Sequence, residues 1–320
     1  MIEKELFKSA TSLANYKDED IMIEVSHLTK DYGKNRGLFD VSFIVPKGKT
    51  FGYCGTNGAG KTTTLRHIMG FLKPDEGYVK VKGLDAWINS EEIKKYIGYL
   101  PGEIAFPPLE SGSDFLKAQA EMLNLNDMSK AEKIINALQL DPTANLKRMS
   151  KGMKQKTALV AAFMHSPEII LLDEPTTGLD PLMRDAFISI IKEEKARGAT
   201  IVMSNHMFDE LEETCDYVGF IKDGKIIDIV DMEEIHNRPT REYYIVFASK
   251  KDFEEADASQ VEVLESHPEL NSYLVKVPNE KIDGMFRELH KHNVTLIKEV
   301  QYTLEKYFME HIARGEKNNG

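Results

Sequence analysis

The chain has 320 residues, 42% of them hydrophobic and 29% charged, which suits two domains of ordinary globular composition. Acidic residues exceed basic ones, 52 against 41, and the resulting charge of −11 argues against a broad nucleic-acid-binding surface. No run approaches the ~18 uninterrupted apolar residues of a membrane span. The two cysteines, Cys54 and Cys215, are too few and too scattered for a disulfide framework or a zinc site, and read as buried reduced thiols.

Residues 1–20 read as a polar, partly helical extension, with acids throughout and no long apolar core of the kind a secretory signal needs. Alternation in Ile21-Met22-Ile23-Glu24-Val25 predicts a strand. A second runs from Phe39 to Val45 and stops at the turn Pro46-Lys47-Gly48-Lys49. Thr50 to Cys54 is a third apolar stretch. It leads into GTNGAGKTT, from Gly55 to Thr63, and then into a helical segment starting at Thr64. Gly77 to Gly83 reads as a further hairpin strand. From Ser111 to about Ala162 the spacing turns helical, with Phe115, Leu116, Ala118, Ala120, Met122 and Leu123 in phase. Three short apolar runs follow, ending near Leu172, Met203 and Ile221. They are of the type found in buried parallel strands, so the core is expected to be α/β. A boundary is placed near Asn237-Arg238-Pro239-Thr240. Beyond it, Tyr243–Phe247, Ser272–Val277 and Val294–Ile297 are strand-like, which predicts a small α+β domain over residues 240–320. In its last segment Leu304, Tyr307 and Phe308 share one helical face that needs a partner surface.

The stretch Gly55–Thr63 fits G-x-x-x-x-G-K-[ST] between a strand and a helix, the context a phosphate-binding loop requires. Glycines let backbone N–H groups converge on an anion, and the helix start adds its positive end. Lys61 offers a cation to the β- and γ-phosphates, and Thr62 a hydroxyl to Mg²⁺. Gly55, Asn57, Gly58, Ala59, Gly60, Lys61, Thr62 and Thr63 are therefore candidate nucleotide contacts. The apolar run Ile169–Leu172 ends in Asp173-Glu174, where Asp173 suits the Mg²⁺ shell and Glu174 suits a general base for the attacking water. Ser150 heads the helix beginning Lys151-Gly152-Met153. It has the chemistry of an N-cap, and a helix start also suits an anion. Thr177-Gly178-Leu179-Asp180 follows the acids, and His206 ends the next apolar strand, where it faces the ligand crevice of an α/β sheet.

The order of these motifs resembles the ATP-binding subunit of an ABC transporter, over roughly Ile21 to Asp231, and the bacterial exporter-type ATPases in particular. The resemblance implies a P-loop, RecA-like core with an antiparallel β subdomain and a helical subdomain near residues 103–163, all within 21–236. It also implies ATP and Mg²⁺ as cofactors. Two subunits, identical or different, pack head to tail, with each ATP between one phosphate loop and the partner's S-x-G segment, here Ser150, Lys151 and Gly152. Tyr32 then resembles the aromatic that stacks on adenine, Asp180 is a further nucleotide-side contact, and His206 resembles the switch histidine at the γ-phosphate. Membrane permease subunits are the implied partners, with no nucleic acid, and the protein sits in the cytoplasm, peripheral on the inner face of the cell membrane. Two departures stand out. The signature reads M-S-K-G-M, so Ser150 and Gly152 persist, Lys151 introduces a cation that reaches either a phosphate or solvent, and Met153 loses a polar contact. Leu100-Pro101-Gly102-Glu103 stands where the family usually has a glutamine after proline: either Glu103 or water substitutes, or hydrolysis is slower. A soluble ABC-type ATPase of DNA repair or of the ribosome fits less well, because the stretch from Thr63 to Ser150 has no room for long coiled coils and the chain has a single cassette.

Overall fold

The computed structural model describes residues 13, 15–257 and 261–312, so most of the N-terminal extension lies outside the described residues. Of that extension, Leu13 is fully buried and Asp18–Asp20 forms one 3₁₀ turn. The chain divides into two compact units, Met1–Met232 and Glu233–Gly320. The helix Met232–His236 runs from that division toward the boundary expected from sequence at 237–240.

The first unit holds two sheets. Strands β1 (Ile21–Asp31), β2 (Gly37–Pro46), β4 (Glu76–Val81) and β5 (Leu84–Asp85) make an antiparallel sheet in the order β2-β1-β4-β5. Strands β3 (Thr50–Cys54), β6 (Ile97–Leu100), β7 (Ile169–Asp173), β8 (Thr200–Asn205), β9 (Tyr217–Lys222) and β10 (Lys225–Asp231) make the second, in the order β10-β9-β3-β8-β7-β6. Pairing is parallel from β9 across to β6, and only the edge strand β10 is antiparallel. Every residue of β3, β7 and β8 is buried, which is why they read as unbroken apolar runs rather than alternating ones.

Helix α1 (Lys61–Ile68) follows β3, and α2 (Ser90–Ile93) precedes β6. The long helical stretch of the sequence is three helices, α3 (Gly112–Met122), α4 (Ser129–Ala137) and α5 (Lys151–Phe163). Ser111 and Asp114 close a reciprocal capping box at α3. Between α4 and α5, Pro142 and the left-handed Gln139 (φ 48°) interrupt the helix that side-chain periodicity alone would continue. Helix α6 (Pro181–Ala196) starts from Asp180, whose carboxylate accepts from the Met183 N–H (3.0 Å), with proline at the first helical position. Helix α7 (Phe208–Thr214) links β8 to β9.

The second unit is a four-stranded antiparallel sheet, ordered Glu262–His267, Ser272–Pro278, Thr240–Phe247, Val294–Val300. Tyr243, Ile245 and Phe247 alternate into a core with Val275 and Val277, closed by Phe253, Met285 and Leu289 from the helices Lys250–Glu255 and Ile282–Leu289. The strand Glu262–His267, absent from the sequence reading, is an edge strand rich in Glu and exposed along most of its length, so it carries no apolar alternation to detect.

One aromatic cluster ties the first unit's two sheets together. Phe43 of β2 stacks on Phe51 of β3 (centroids 4.7 Å apart) and tilts against Tyr53 (5.6 Å), and all three are fully buried. Because β3 leads straight into the phosphate loop, this contact fixes the loop's base. Phe43→Ala is expected to lower the unfolding free energy by about 3–5 kcal/mol. Chemical denaturation checks it, and a change below about 1 kcal/mol would mean that the cluster is not what joins the sheets.

Candidate functional site

The chain leaves β3 at Cys54, turns through the loop, and enters α1 from Gly60, whose φ of 114° lies where only glycine is comfortable. A Cβ there would also meet Leu38 Cδ2 at 2.5 Å. Lys61, only 5% exposed, folds its amine back over the loop, donating to the carbonyls of Gly55 (2.6 Å) and Thr56 (3.2 Å). The amine also stands 3.7 Å from Glu174 Oε1. Burial pushes the neighbouring Cys54 thiol up to about 11 against the pull of Lys61, so it stays a neutral thiol beside the loop.

Strand β7 brings Asp173 to the same place. Its carboxylate is buried and takes two hydroxyl hydrogen bonds, from Thr62 Oγ1 to Oδ2 (2.6 Å) and from Ser204 Oγ to Oδ1 (2.6 Å). Ser204 also accepts from the backbone N–H of Glu174 (2.9 Å). Glu174 itself has φ 49°, a left-handed conformation that costs a residue with a side chain on the order of 1–3 kcal/mol. It is held there from the other side by Gln155 of α5, whose amide donates to the carbonyls of Glu174 (3.3 Å) and Pro175 (2.8 Å).

These groups open onto a cleft of about 670 Å³. Of the residues singled out from sequence, Tyr32, Asn57, Gly58, Gly60, Lys61, Thr62, Thr63, Asp173 and Glu174 line it, together with Gly102 and Glu103. Tyr32, on the cleft wall, is half-exposed. Gly55 and Ala59 shape the loop from beneath: Gly55 supplies the carbonyl that holds Lys61, and the Ala59 N–H closes a turn on Thr56 O (3.2 Å). Ser150, Lys151, Gly152, Asp180 and His206 are not on the cleft wall. Ser150 Oγ caps its own helix by accepting from the Met153 N–H (3.2 Å), and Lys151 is exposed, its aliphatic stem beside Gly178. Gly152 sits under the Gly178 carbonyl, which a Cβ would meet at 2.6 Å, so the G-L-D turn lies directly on the head of α5.

Sequence reasoning missed Arg36 and Arg66, which add positive charge to the cleft wall. Arg66 was findable, since it stands four residues after Thr62 on the same helical face. It also missed Ser204 and Gln155, polar residues at core positions of a strand end and a helix. Thr62 and Asp173 present hard oxygen donors side by side, a donor set that fits Mg²⁺. Gly102 packs on Asp173 so closely that a Cβ would lie 2.9 Å from Oδ2.

A glycine loop heading a helix, with a buried cation and paired oxygen donors at one end of a parallel sheet, defines a P-loop nucleotide-binding domain. Residues 38–177 match the ABC transporter family. The bacitracin transport ATP-binding protein BcrA of Bacillus licheniformis is 30% identical over 312 residues, covering 92% of this chain and 98% of the relative. The linearmycin resistance ATP-binding protein LnrL of Bacillus subtilis is 32% identical, over 68% of this chain and 71% of its own length. A solved ATP-binding subunit of an ABC transporter superposes with a TM-score of 0.60 at 30% identity, covering 67% of this chain and 92% of that one. The chain belongs to the ABC transporter family, as an ATP-binding and ATP-hydrolysing subunit. The BcrA alignment extends well past the first unit, so this relative shares sequence with the second one too.

Gly102→Ala is expected to displace Asp173 or its loop and to lower ATP turnover by about tenfold. Steady-state phosphate release measures this, and unchanged turnover would show that the loop yields without cost to the site.

Proposed function

We propose that this subunit binds Mg·ATP between Tyr32 and Glu174, pairs head to tail with a second ATPase subunit, identical or different, and drives export through separate membrane permease subunits. The observation that carries the reading is the meeting of Lys61, Thr62, Asp173 and Glu174 around one loop. The donor pair Thr62 and Asp173 would hold Mg²⁺, which supplies charge neutralisation for the phosphates. Lys61 and the loop N–H groups bind the β- and γ-phosphates, with Arg36 and Arg66 adding charge at the rim. Tyr32 stacks on the base. Glu174 accepts a proton from the attacking water, and His206, at the end of β8, reads the γ-phosphate once the dimer has closed.

Ser150, Lys151, Gly152 and Asp180 stand away from this chain's own cleft, which suits a contact made to a partner's nucleotide. Among the described residues no helix is long and apolar enough to cross a membrane. Membrane attachment, on the inner face of the cell membrane, therefore runs through the permease in this reading. The names of the relatives, bacitracin transport and linearmycin resistance, support export over a repair or ribosomal role.

Glu174→Gln keeps the shape of the side chain but replaces a proton acceptor with an amide. It is expected to bind ATP normally and to lose turnover by at least about 10²-fold. Near-wild-type phosphate release would remove Glu174 from the base role. Head-to-tail pairing has its own test by complementation. A Lys61→Ala subunit and a Ser150→Arg subunit, each inactive alone, should regain activity when mixed, because one of the two shared sites is then free of both changes. If the mixture stays inactive although mixed dimers form, Ser150 does not serve its partner's site.

A further inference from the structure

Glu210, on α7, is 4% exposed. A buried carboxylate is costly unless it is paired or hydrogen-bonded. Its oxygen Oε2 accepts two hydrogen bonds, from Thr176 Oγ1 (2.7 Å) and from Asn205 Nδ2 (2.5 Å), and both donors are buried as well. The two donors belong to different segments of the site. Thr176 lies two residues after Glu174, in the turn that leaves β7, and Asn205 is the residue before His206. The other end of the Asn205 carboxamide, Oδ1, accepts from the backbone N–H groups of His206 (2.7 Å) and Met207 (3.0 Å). Both ends of that side chain are thus committed: the amino group to Glu210, the oxygen to the backbone that carries His206. Thr214 Oγ1 donates to the Glu210 carbonyl (2.6 Å) and steadies α7 beneath. The second carboxylate oxygen, Oε1, faces Arg184 Nε of α6 at 3.9 Å, beyond hydrogen-bond reach, and neither atom has a hydrogen-bond partner among the described residues.

We propose that Glu210 is a positioning residue, joining the turn after Glu174 and the backbone of His206 into one rigid unit. The proposal rests on the roles given above to Glu174 and His206. It adds a cause for their alignment: a single carboxylate oxygen shared by two segments that come from separate strands. Without that acceptor the Thr176 hydroxyl and the Asn205 amino group are buried and unpaired, and each relieves this by moving its own segment. Glu210 touches neither loop nor cleft, so its loss shifts the reacting groups and leaves nucleotide binding to Lys61 and Tyr32.

The test compares Glu210→Ala with Glu210→Gln in ATP turnover by the intact chain, normalised to nucleotide-binding stoichiometry so that only folded protein counts. Glu210→Ala should lower kcat by about 10–100-fold, with KM for ATP within about twofold of wild type. Glu210→Gln places a carbonyl oxygen where both donors need one and should recover most of kcat. Asn205→Ala should reproduce the kcat loss, and the Glu210→Ala/Asn205→Ala pair should be little worse than either alone. Wild-type kcat in Glu210→Ala, a loss confined to KM, or no recovery by Gln would each overturn the proposal. If Glu210→Ala fails to fold, Thr176→Val and Asn205→Ala remove the donors singly, and wild-type kcat in both overturns it. Glu174→Gln, run alongside, separates the two ideas. An active Glu174→Gln sinks the base assignment, whereas an inactive one beside fully active Glu210 and Asn205 variants sinks the positioning role.

Discussion

The site depends on the parallel register of three strands. Strand β8 pairs with β3 so that Asn205 lies opposite Cys54, and with β7 so that Ser204 lies opposite Asp173. The loop that begins after Cys54, the carboxylate at the end of β7 and the polar end of β8 therefore finish at one level. A slip of one residue in either pairing would turn the end of β7 or β8 to the other face of the sheet. The Ser204–Asp173 hydrogen bond is then a direct consequence of register, and the Thr62–Asp173 bond follows because the phosphate loop, starting at the same level, carries the first turn of α1 back over the end of β7.

Glu174 shows what such a frame makes possible. Its left-handed backbone is disfavoured for any residue with a side chain, and its own sequence context supplies no glycine to relieve it. Ser204 holds its N–H, Gln155 holds its carbonyl, and the amine of Lys61 stands opposite its carboxylate. These holders come from a strand, from the helix headed by Ser150, and from the phosphate loop. Strain at the proposed base is thus fixed by three elements that also carry the other parts of the site.

Much of this was legible because the chemistry is local. The phosphate loop, Asp173-Glu174, the cap residue Ser150 and the buried parallel strands each announce themselves within a few residues. What stayed hidden is what the fold assembles from a distance. Ser204, Gln155 and Glu210 were inconspicuous as single letters, and their partners are far away in sequence. Helix ends between residues 111 and 163 were blurred because side-chain periodicity persists where Pro142 and Gln139 have already broken the backbone pattern. The strand Glu262–His267 was invisible for the opposite reason: an exposed edge has no apolar face to impose a period.

Gly102 bears on what this sequence can become. Where the family usually places a glutamine, this chain has bare backbone lying against the Asp173 carboxylate, with less than a normal contact distance left for even a methyl group. Placing the familiar residue here would strain the site. The first step away from glycine meets the carboxylate, whichever side chain it introduces, so a glutamine needs Asp173 or the loop to give way. Any longer side chain at this position therefore has to move either the backbone at Gly102 or the Asp173 carboxylate, and the second route carries the disturbance straight into the hydrogen bonds from Thr62 and Ser204.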